Sequence, residues 1–220
     1  EVCHTVSSLT GKETETLLRA TLPALRARLD EALLTAIAGA LVNQLGIDSF
    51  HIELVHHGRE HSFRDVDVSR TVGWFSNEFP LLLDVGSARN LRQMVETVKE
   101  QVRGIPNHGI GYGVLRYLNR DSTLLALPRP NLRLNNQGDL SDGERLTLFQ
   151  VLRATFMAEL GVHEQLINIT VLLNNGCLTL QWMYDRRVYE EEDVRNLAAN
   201  VITQIRSLIA LTTKASKTHV

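Results

Sequence analysis

Two short apolar runs near the C-terminal end constrain the fold of this chain more than any other feature. Ile167 to Leu173 and Leu178 to Tyr184 are rich in β-branched and apolar residues, and Asn174-Asn-Gly176 lies between them. An Asn-Gly pair between two such runs is typical of a tight hairpin, because both residues tolerate the positive φ angles of that turn. The sequence therefore predicts an antiparallel pair of strands, which argues against an all-parallel sheet.

Helical segments alternate with these strand-like runs. The clearest is Asp30 to Leu45, which ends before Gly46 and carries one apolar face made of Leu33, Leu34, Ile37, Leu41 and Leu45. We also expect helices at residues 10–28 (followed by a break), 91–102, 142–159 and 190–211, and a half-buried strand at 50–55. Strands mixed with helices predict an α+β fold, a mixed α/β sandwich, in a single lobe spanning residues 1–220.

The overall composition argues against several functional classes. A net charge of -2 supplies no basic surface for nucleic acid, and no apolar run approaches the roughly 18 residues of a membrane-spanning helix. The first residues lack the basic start and apolar core of a signal peptide. Cys3 and Cys177 are too few for a disulfide scaffold, so we expect free thiols and a cytoplasmic location.

Three blocks of sequence carry more specific information. They are His57-Gly-Arg-Glu60, the aromatic run Ser69 to Pro80, and the glycine-rich run Pro106 to Leu118. In this order and at this spacing they resemble the epimerization branch of the condensation-domain superfamily of nonribosomal peptide synthetases. The resemblance implies a chloramphenicol-acetyltransferase-like fold, of which this chain matches the C-terminal lobe and begins halfway through the family domain. It also implies a partner, a peptidyl carrier protein whose phosphopantetheine arm brings the substrate, and no directly bound cofactor.

The resemblance also implies proton-transfer residues, and this chain departs from the family at their positions. Family epimerases use a histidine of a His-His-x-x-x-Asp motif in the first lobe and a glutamate that opens the block Glu-Gly-His-Gly-Arg-Glu. The pair His56-His57 does not fit the first motif, and Val55 occupies the glutamate position of the second. Glu53 lies on the same strand face but about 6–7 Å away, too far to substitute. We therefore expect no catalytic residue here.

A later family block, Phe-Asn-Tyr-Leu-Gly, supports this expectation. It reads Leu134-Asn-Asn-Gln-Gly138 here, so the family asparagine is present as Asn135 whereas its tyrosine is replaced by Asn136. The positions that match the family beside its substrate channel are His57, Arg59, Gly111, Tyr112 and Asn135.

Three histidines, His56, His57 and His61, lie close together and raise the question of a zinc site. Neighbouring side chains of a strand point to opposite faces, so His56 and His57 would not converge on one ion. We expect no metal site. His57 is instead expected to hydrogen-bond the protein framework, and Arg59 to form an ion pair with Glu60.

The remaining patterns have structural interpretations. Gly109 to Gly113 lacks the Lys-Ser/Thr of a phosphate-binding loop and indicates close backbone packing before a helix or strand. Trp74 and Phe75 are expected in the core. Four arginines are expected to be solvated charges: Arg116, Arg120, Arg186 and Arg187. One of the two pairs, Arg116 with Arg120 or Arg186 with Arg187, could meet an acidic helix of a carrier protein.

Two functions remain open. The first is a degenerate, non-catalytic scaffold that binds a carrier protein or recruits a tailoring enzyme. The second is the C-terminal lobe of an active epimerization domain, which would convert an L-aminoacyl thioester to its D form together with an N-terminal lobe. Val55 favours the first, because a working epimerase needs a carboxylate there. An apolar face toward the N-terminal lobe is expected in both cases, and with it a tendency to self-associate.

Overall fold

The computed structural model of the chain describes residues 1–59, 67–68, 70–73, 75–139 and 167–217. Its strands are β1 (Val2–Ser8), β2 (Ser49–His56), β3 (Asn77–Asp84), β4 (Leu132–Asp139), β5 (Ile167–Asn174) and β6 (Cys177–Asp185). Its α-helices are α1 (Gly11–Thr16), α2 (Leu22–Leu25), α3 (Leu29–Leu45), α4 (Leu91–Arg103), α5 (Ile110–Gly113), α6 (Ser122–Ala126) and α7 (Glu191–Lys217). Short π-helical turns at Leu17–Thr21 and Val114–Leu118 and a 3₁₀ turn at Pro106–Gly109 join some of them.

The strands form one mixed sheet in the order β1-β6-β5-β4-β2-β3. β4 runs parallel to both β2 and β5, whereas the pairs β2–β3, β5–β6 and β1–β6 are antiparallel. Helices and a mixed sheet confirm the predicted α+β class. The predicted helix at residues 142–159 lies outside the described residues.

The predicted hairpin is confirmed by strands β5 and β6. Asn174 pairs with Cys177, and the two residues between them, Asn175 and Gly176, have φ angles of 50° and 73°. Both angles lie in the left-handed region that the turn requires. This local signal therefore sets the register of the two strands.

The predicted strand at 50–55 and the helices at 91–102 and 190–211 are also confirmed, as β2, α4 and α7. The predicted helix at 10–28 is divided into α1, the first π-helical turn and α2, and it ends at Arg26, which has a φ of 48°. No helix in the described ranges is both long and apolar enough to cross a membrane. Cys3 and Cys177 are free thiols.

Helix α3 begins and ends within a residue of the prediction, and Gly46 terminates it with a φ of 67°. The prediction of a single apolar face was wrong. Every residue from Glu31 to Leu41 is buried, because α3 belongs to the main core and also packs against α4 and α7. Leu45, in the last turn, is exposed. A helix enclosed on several sides buries its whole circumference.

The two faces of the sheet differ in chemical character, and this difference positions the candidate site. One face carries apolar side chains that join the core, among them Ile52, Leu134, Ile169 and Trp182. Because side chains alternate along a strand, their neighbours point to the opposite side. We call this second side the polar face; it carries Glu53, Val55, Arg133, Asn135, Asn168 and Thr170.

Candidate functional site

The two family-matched strand positions lie side by side on the polar face. Val55 of β2 pairs with Asn135 of β4 on one side and with Glu78 of β3 on the other. Paired residues of neighbouring strands carry their side chains on the same face, with about 5 Å between their Cβ atoms. The position of the family glutamate is thus an apolar side chain between an amide and a carboxylate.

Arg133 links two carboxylates beside Val55. Its Nε atom lies 2.6 Å from Oε2 of Glu53, and its Nη2 atom lies 2.6 Å from Oε2 of Glu78. Since Glu53 belongs to β2 and Glu78 to β3, the guanidinium of Arg133 reaches from β4 across β2. The side chains of Glu53 and Arg133 are 14% and 22% exposed. The carboxylate of Glu53 is therefore held by Arg133.

On the other side of Arg133, the polar face continues into strand β5. Asn168 pairs with Arg133, and Thr170 pairs with Asn135. Asn168 is only 4% exposed, and its Oδ1 atom has no hydrogen-bond partner among the described residues. The buried end of the polar face thus carries an acceptor that the surrounding described protein does not satisfy.

The position of the family tyrosine has a different role in this chain. Asn136 is exposed, and its Oδ1 atom accepts a hydrogen bond of 3.1 Å from the backbone N–H of Gly138. The pairing of β4 with β5 is irregular between Asn136 and Asp139, and Gly138 has a φ of 74°. Asn136 therefore shapes a local bend of the strand, on the face opposite to Asn135.

His57 and Arg59 form a braced turn directly after β2. The backbone N–H of Arg59 donates to Nδ1 of His57 over 3.0 Å, which confirms the expected framework role of His57. The guanidinium of Arg59 donates to the carbonyl oxygens of Val68, Thr71 and Gly73 and lies 4.5 Å from the ring centroid of Phe75. Arg59 thus holds the chain before β3 through backbone carbonyls. The predicted pair with Glu60 lies outside the described residues, as do Trp74 and His61.

Gly111 and Tyr112 belong to α5, which packs against β3. The hydroxyl of Tyr112 accepts a hydrogen bond of 3.0 Å from Nη1 of Arg116. The prediction that Arg116 is a solvated charge was wrong, because it is 7% exposed and also donates to the carbonyl of Leu124. Arg116 therefore holds the turn that follows α5 and does not face a partner.

The predicted close packing of the glycine-rich run holds at Gly109 alone. A Cβ atom on Gly109 would lie 2.1 Å from Cδ1 of Phe79, whereas one on Gly111 or Gly113 would have nothing within 4 Å. The π-helical turn that follows is not packed in the core, since Leu115, Tyr117 and Leu118 are exposed. The contact between Gly109 and Phe79 fixes α5 to β3.

The structure brings the predicted site residues together in two groups. Val55 and Asn135 share the polar face, and His57 and Arg59 follow at the end of β2. Gly111 and Tyr112 lie in α5, which follows Gly109 and its contact with Phe79 on the apolar face of β3, and Tyr112 packs against the core. His56 packs against Phe79, with 5.3 Å between ring centroids, and 6.4 Å separates it from His108. In the parts of the chain that the structure describes, no three His, Cys, Asp or Glu side chains form a metal-binding group.

Sequence reasoning missed Glu78 and Arg133. Neither was named as a site residue, although Glu78 lies in the matched run Ser69 to Pro80, and residues 77–84 were not predicted as a separate strand. The continuous apolar run Phe79-Pro-Leu-Leu-Leu83, bounded by Asp84, was the available signal. It would have predicted a strand, although not its pairing with β2.

Comparison with known proteins adds family evidence to this geometry. A family model described as "Condensation domain" matches residues 2–219. Bacitracin synthase 3 of Bacillus licheniformis is 33% identical over 206 residues, which cover 92% of this chain and 3% of that protein. The epimerization domain from the third module of tyrocidine synthetase B matches with a TM-score of 0.79 and 26% identity, over 96% of this chain and 48% of that one.

A third match extends the comparison of folds. The complex of the X-domain and OxyB from teicoplanin biosynthesis matches with a TM-score of 0.64 and 15% identity, over 96% of this chain and 46% of that one. The chain thus spans about half the length of the two matched structures and 3% of the bacitracin synthase.

Proposed function

This chain belongs to the condensation-domain family, and we propose that it works in a nonribosomal peptide synthetase as a non-catalytic module that binds a carrier protein. The chain would be a single lobe, residues 1–220, equivalent to the C-terminal lobe of an epimerization domain. The observation that carries the proposal is Val55, an apolar side chain where the family resemblance requires an acid–base glutamate.

The surroundings of Val55 support a loss of proton transfer. Epimerization removes the α-proton on one side of the substrate carbon and returns one from the other, so it needs two titratable groups that face this carbon. Glu53 and Glu78 are the carboxylates beside Val55, and both are paired with Arg133 at 2.6 Å. Both carboxylates are thus engaged in ion pairs, and the side chain between Asn135 and Glu78, at the family glutamate position, cannot transfer a proton.

The proposed binding role rests on what the site retains. Five positions match the family beside its channel: Asn135 on β4, His57 and Arg59 directly after β2, and Gly111 and Tyr112 in α5, which packs against β3. We propose that they line the path of the phosphopantetheine arm of a peptidyl carrier protein. The module would act in the cytoplasm and would need no cofactor of its own.

A titration of the isotope-labelled chain with a carrier protein, followed by NMR, tests this role. The phosphopantetheinylated carrier should shift the signals of Gly111, Tyr112 and Asn135, and the same carrier without its arm should not. Asn135→Ala should weaken the interaction. Its matched control, Asn196→Ala, removes an exposed asparagine side chain of α7 and should not. The absence of any shift at millimolar carrier concentration would refute the binding role.

A second function is favoured by the likeness to the tyrocidine epimerization domain, which is the stronger of the two structural matches described above. In that case the chain would be the C-terminal lobe of an active epimerase, and an N-terminal lobe would supply the histidine. The two functions differ in one measurement, the exchange of the substrate α-proton with D₂O in the presence of such a lobe. The scaffold role predicts exchange at the background rate.

The surface near α5 and α6 supports a further protein partner. Large apolar side chains are exposed there, among them Leu115 (45%), Tyr117 (57%) and Leu118 (78%). Exposed apolar patches of this kind mark protein contacts. We propose that an N-terminal lobe covers this surface, or a tailoring enzyme of the kind that OxyB represents for the X-domain. Light scattering should show self-association of the isolated chain, which Leu118→Glu should reduce.

A further inference from the structure

Arg116 is a buried cation that has no carboxylate partner in the described part of the chain. It is 7% exposed and belongs to the π-helical turn Val114–Leu118. Its acceptors among the described residues are both neutral, since Nη1 donates to the hydroxyl of Tyr112 over 3.0 Å and to the carbonyl oxygen of Leu124. Burying a charge that no opposite charge balances is unfavourable, and an apolar side chain would fill the same space better. The charge therefore points to a role beyond packing.

The hydroxyl of Tyr112 is held by this charge at its oxygen. A phenol hydroxyl has one O–H donor and an oxygen that accepts. Because Arg116 donates to the oxygen, the O–H is directed at another acceptor, and no described residue supplies one. The ring of Tyr112 is partly buried and packs against the core, which limits its rotation. The hydroxyl is thus fixed in place with its donor unused by the described protein.

The guanidinium of Arg116 is itself anchored by a separate element. Leu124 lies in α6, and Oδ1 of Asp121 caps this helix by accepting from the backbone N–H of Leu124 over 3.0 Å. The backbone N–H of Asp121 donates in turn to the carbonyl oxygen of Leu115 over 3.0 Å. The carbonyl oxygen of Leu124 is therefore a fixed acceptor, and it holds Arg116 in the position from which it reaches Tyr112.

We propose that Arg116 is a positioning residue, which orients the hydroxyl of Tyr112 so that its proton is presented to an acceptor oxygen of the bound ligand. The inference rests on the proposed function, in which Tyr112 lines the ligand path. A phenol oxygen that accepts from a cation makes its own O–H a stronger donor, because linked hydrogen bonds polarise one another. Arg116 acts through Tyr112 and does not touch the ligand itself.

The arrangement also determines which kind of ligand group Tyr112 binds. A tyrosine hydroxyl with no fixed partner can either donate or accept. With its oxygen bound to the guanidinium of Arg116, the hydroxyl of Tyr112 is a donor, so it selects acceptor oxygens over N–H groups. An amide group of a ligand should therefore contact Tyr112 through its carbonyl oxygen and not through its N–H.

The first measurement needs no ligand. Tyrosine labelled with ¹³C at Cζ reports the hydrogen bonding of each phenol oxygen by NMR; the chain has four tyrosines, and Tyr112→Phe identifies the signal of Tyr112. Arg116→Met removes the donor and Arg116→Lys replaces it with a different one, so both should shift this signal. The signal of Tyr117, an exposed neighbour, should stay unchanged. An unchanged Tyr112 signal, or an equal shift of both tyrosines, would overturn the inference.

The second measurement follows the binding of pantetheine, whose amide carbonyls are acceptors, to the full chain by NMR titration. Tyr112→Phe and Arg116→Met should each weaken binding by about tenfold, the effect of one hydrogen bond. The double variant should bind no more weakly than Tyr112→Phe, because Arg116 acts only through the hydroxyl. Arg92→Met, at an exposed arginine of α4, is the matched control and should leave binding unchanged.

The outcomes separate this inference from the proposed function. If pantetheine binds but Tyr112→Phe does not weaken it, or if the losses of the two single variants add in the double variant, the inference is wrong and the binding role stands. If pantetheine does not bind the unmodified chain at millimolar concentration, the proposed function fails, and the ¹³C signal of Tyr112 decides whether Arg116 orients the hydroxyl. If Arg116→Met does not fold, the ¹³C signal in Arg116→Lys decides.

Discussion

Replacement of Gly109 by alanine should destabilise the protein more than any other single methyl group added in the glycine-rich run. Gly109 has a φ of 79°, and it follows Asn107 and His108, which have φ angles of 46° and 51°. An added Cβ atom would lie 2.1, 2.3 and 2.4 Å from three ring atoms of Phe79, a buried residue of β3. Such distances cannot exist, so either the ring or the turn must move.

The magnitude follows from two terms. Alanine in the left-handed region costs about 1–2 kcal/mol. Forcing an extra methyl group into a packed contact costs about 1–3 kcal/mol. The free energy of unfolding should therefore fall by about 3 kcal/mol. Gly111→Ala is the matched control, because that Cβ atom has nothing within 4 Å and Gly111 lies in α5 without a positive φ. There the better helix propensity of alanine should stabilise by up to about 1 kcal/mol.

Urea unfolding of the three proteins measures these free energies. The variant Gly109→Ala/Phe79→Leu separates the two terms, since a smaller residue at 79 relieves the overlap and leaves the backbone cost. We expect this double variant to lose less stability than the two single variants lose together. Equal stabilities of Gly109→Ala and Gly111→Ala would refute the close packing of Gly109 against β3.

Three further predictions concern ion pairs and catalysis. The side chain of Glu31 has no exposed surface. This burial raises the pKa of Glu31, but hydrogen bonds from the Arg103 guanidinium and the Arg28 backbone N–H outweigh the burial, so the net pKa is lowered. Arg103→Ala should therefore lower the free energy of unfolding at pH 7 in chemical unfolding. The loss should become smaller as the pH falls below 4.5, where the ordinary carboxylate gains its proton in the unfolded chain. The pKa of Glu13 is lowered from 4.5 to about 2, and the side-chain hydrogen bond from Arg206 is the largest cause. The contribution of Glu13 to stability should therefore be complete above pH 4.5 and lost between pH 4.5 and 2. If the free energy of unfolding falls with pH over this range in Glu13→Gln as it does in the unchanged chain, the prediction is wrong. The chain alone should not exchange the α-proton of an aminoacyl thioester with D₂O above background, and catalysed exchange that Glu53→Gln abolishes would identify Glu53 as a base.

Features of the fold that depend on local chemistry could be predicted from the sequence. The turn at Asn175-Gly176 and the end of α3 at Gly46 each need a positive φ, and the residues that tolerate it are visible in the sequence. The family resemblance likewise located Val55 and Asn135, and the structure places them on neighbouring strands. These predictions needed no knowledge of how distant segments meet.

The parts that could not be predicted depend on contacts between distant segments. Glu53, Glu78 and Arg133 are far apart in the chain, and only the pairing of β2 with both β3 and β4 brings their charges together. The burial of Arg116 depends in the same way on the carbonyl of Leu124, which a separate helix supplies. Periodicity reports which face of an element is apolar, but it does not report which other element covers that face.

The ion pairs of Arg133 determine what a carboxylate at position 55 would meet. A glutamate at position 55 would lie one strand spacing from Glu78, on a face where Arg133 already binds two carboxylates. Three carboxylates would then share one guanidinium, and the net charge of the group would change from about −1 to about −2. Removal of the charge of Glu78 in the same protein would return it to about −1. Under the proposed function we therefore expect Val55→Glu to need Glu78→Gln beside it before a proton-transfer residue is restored, because the three strands act together to set the electrostatics of the site.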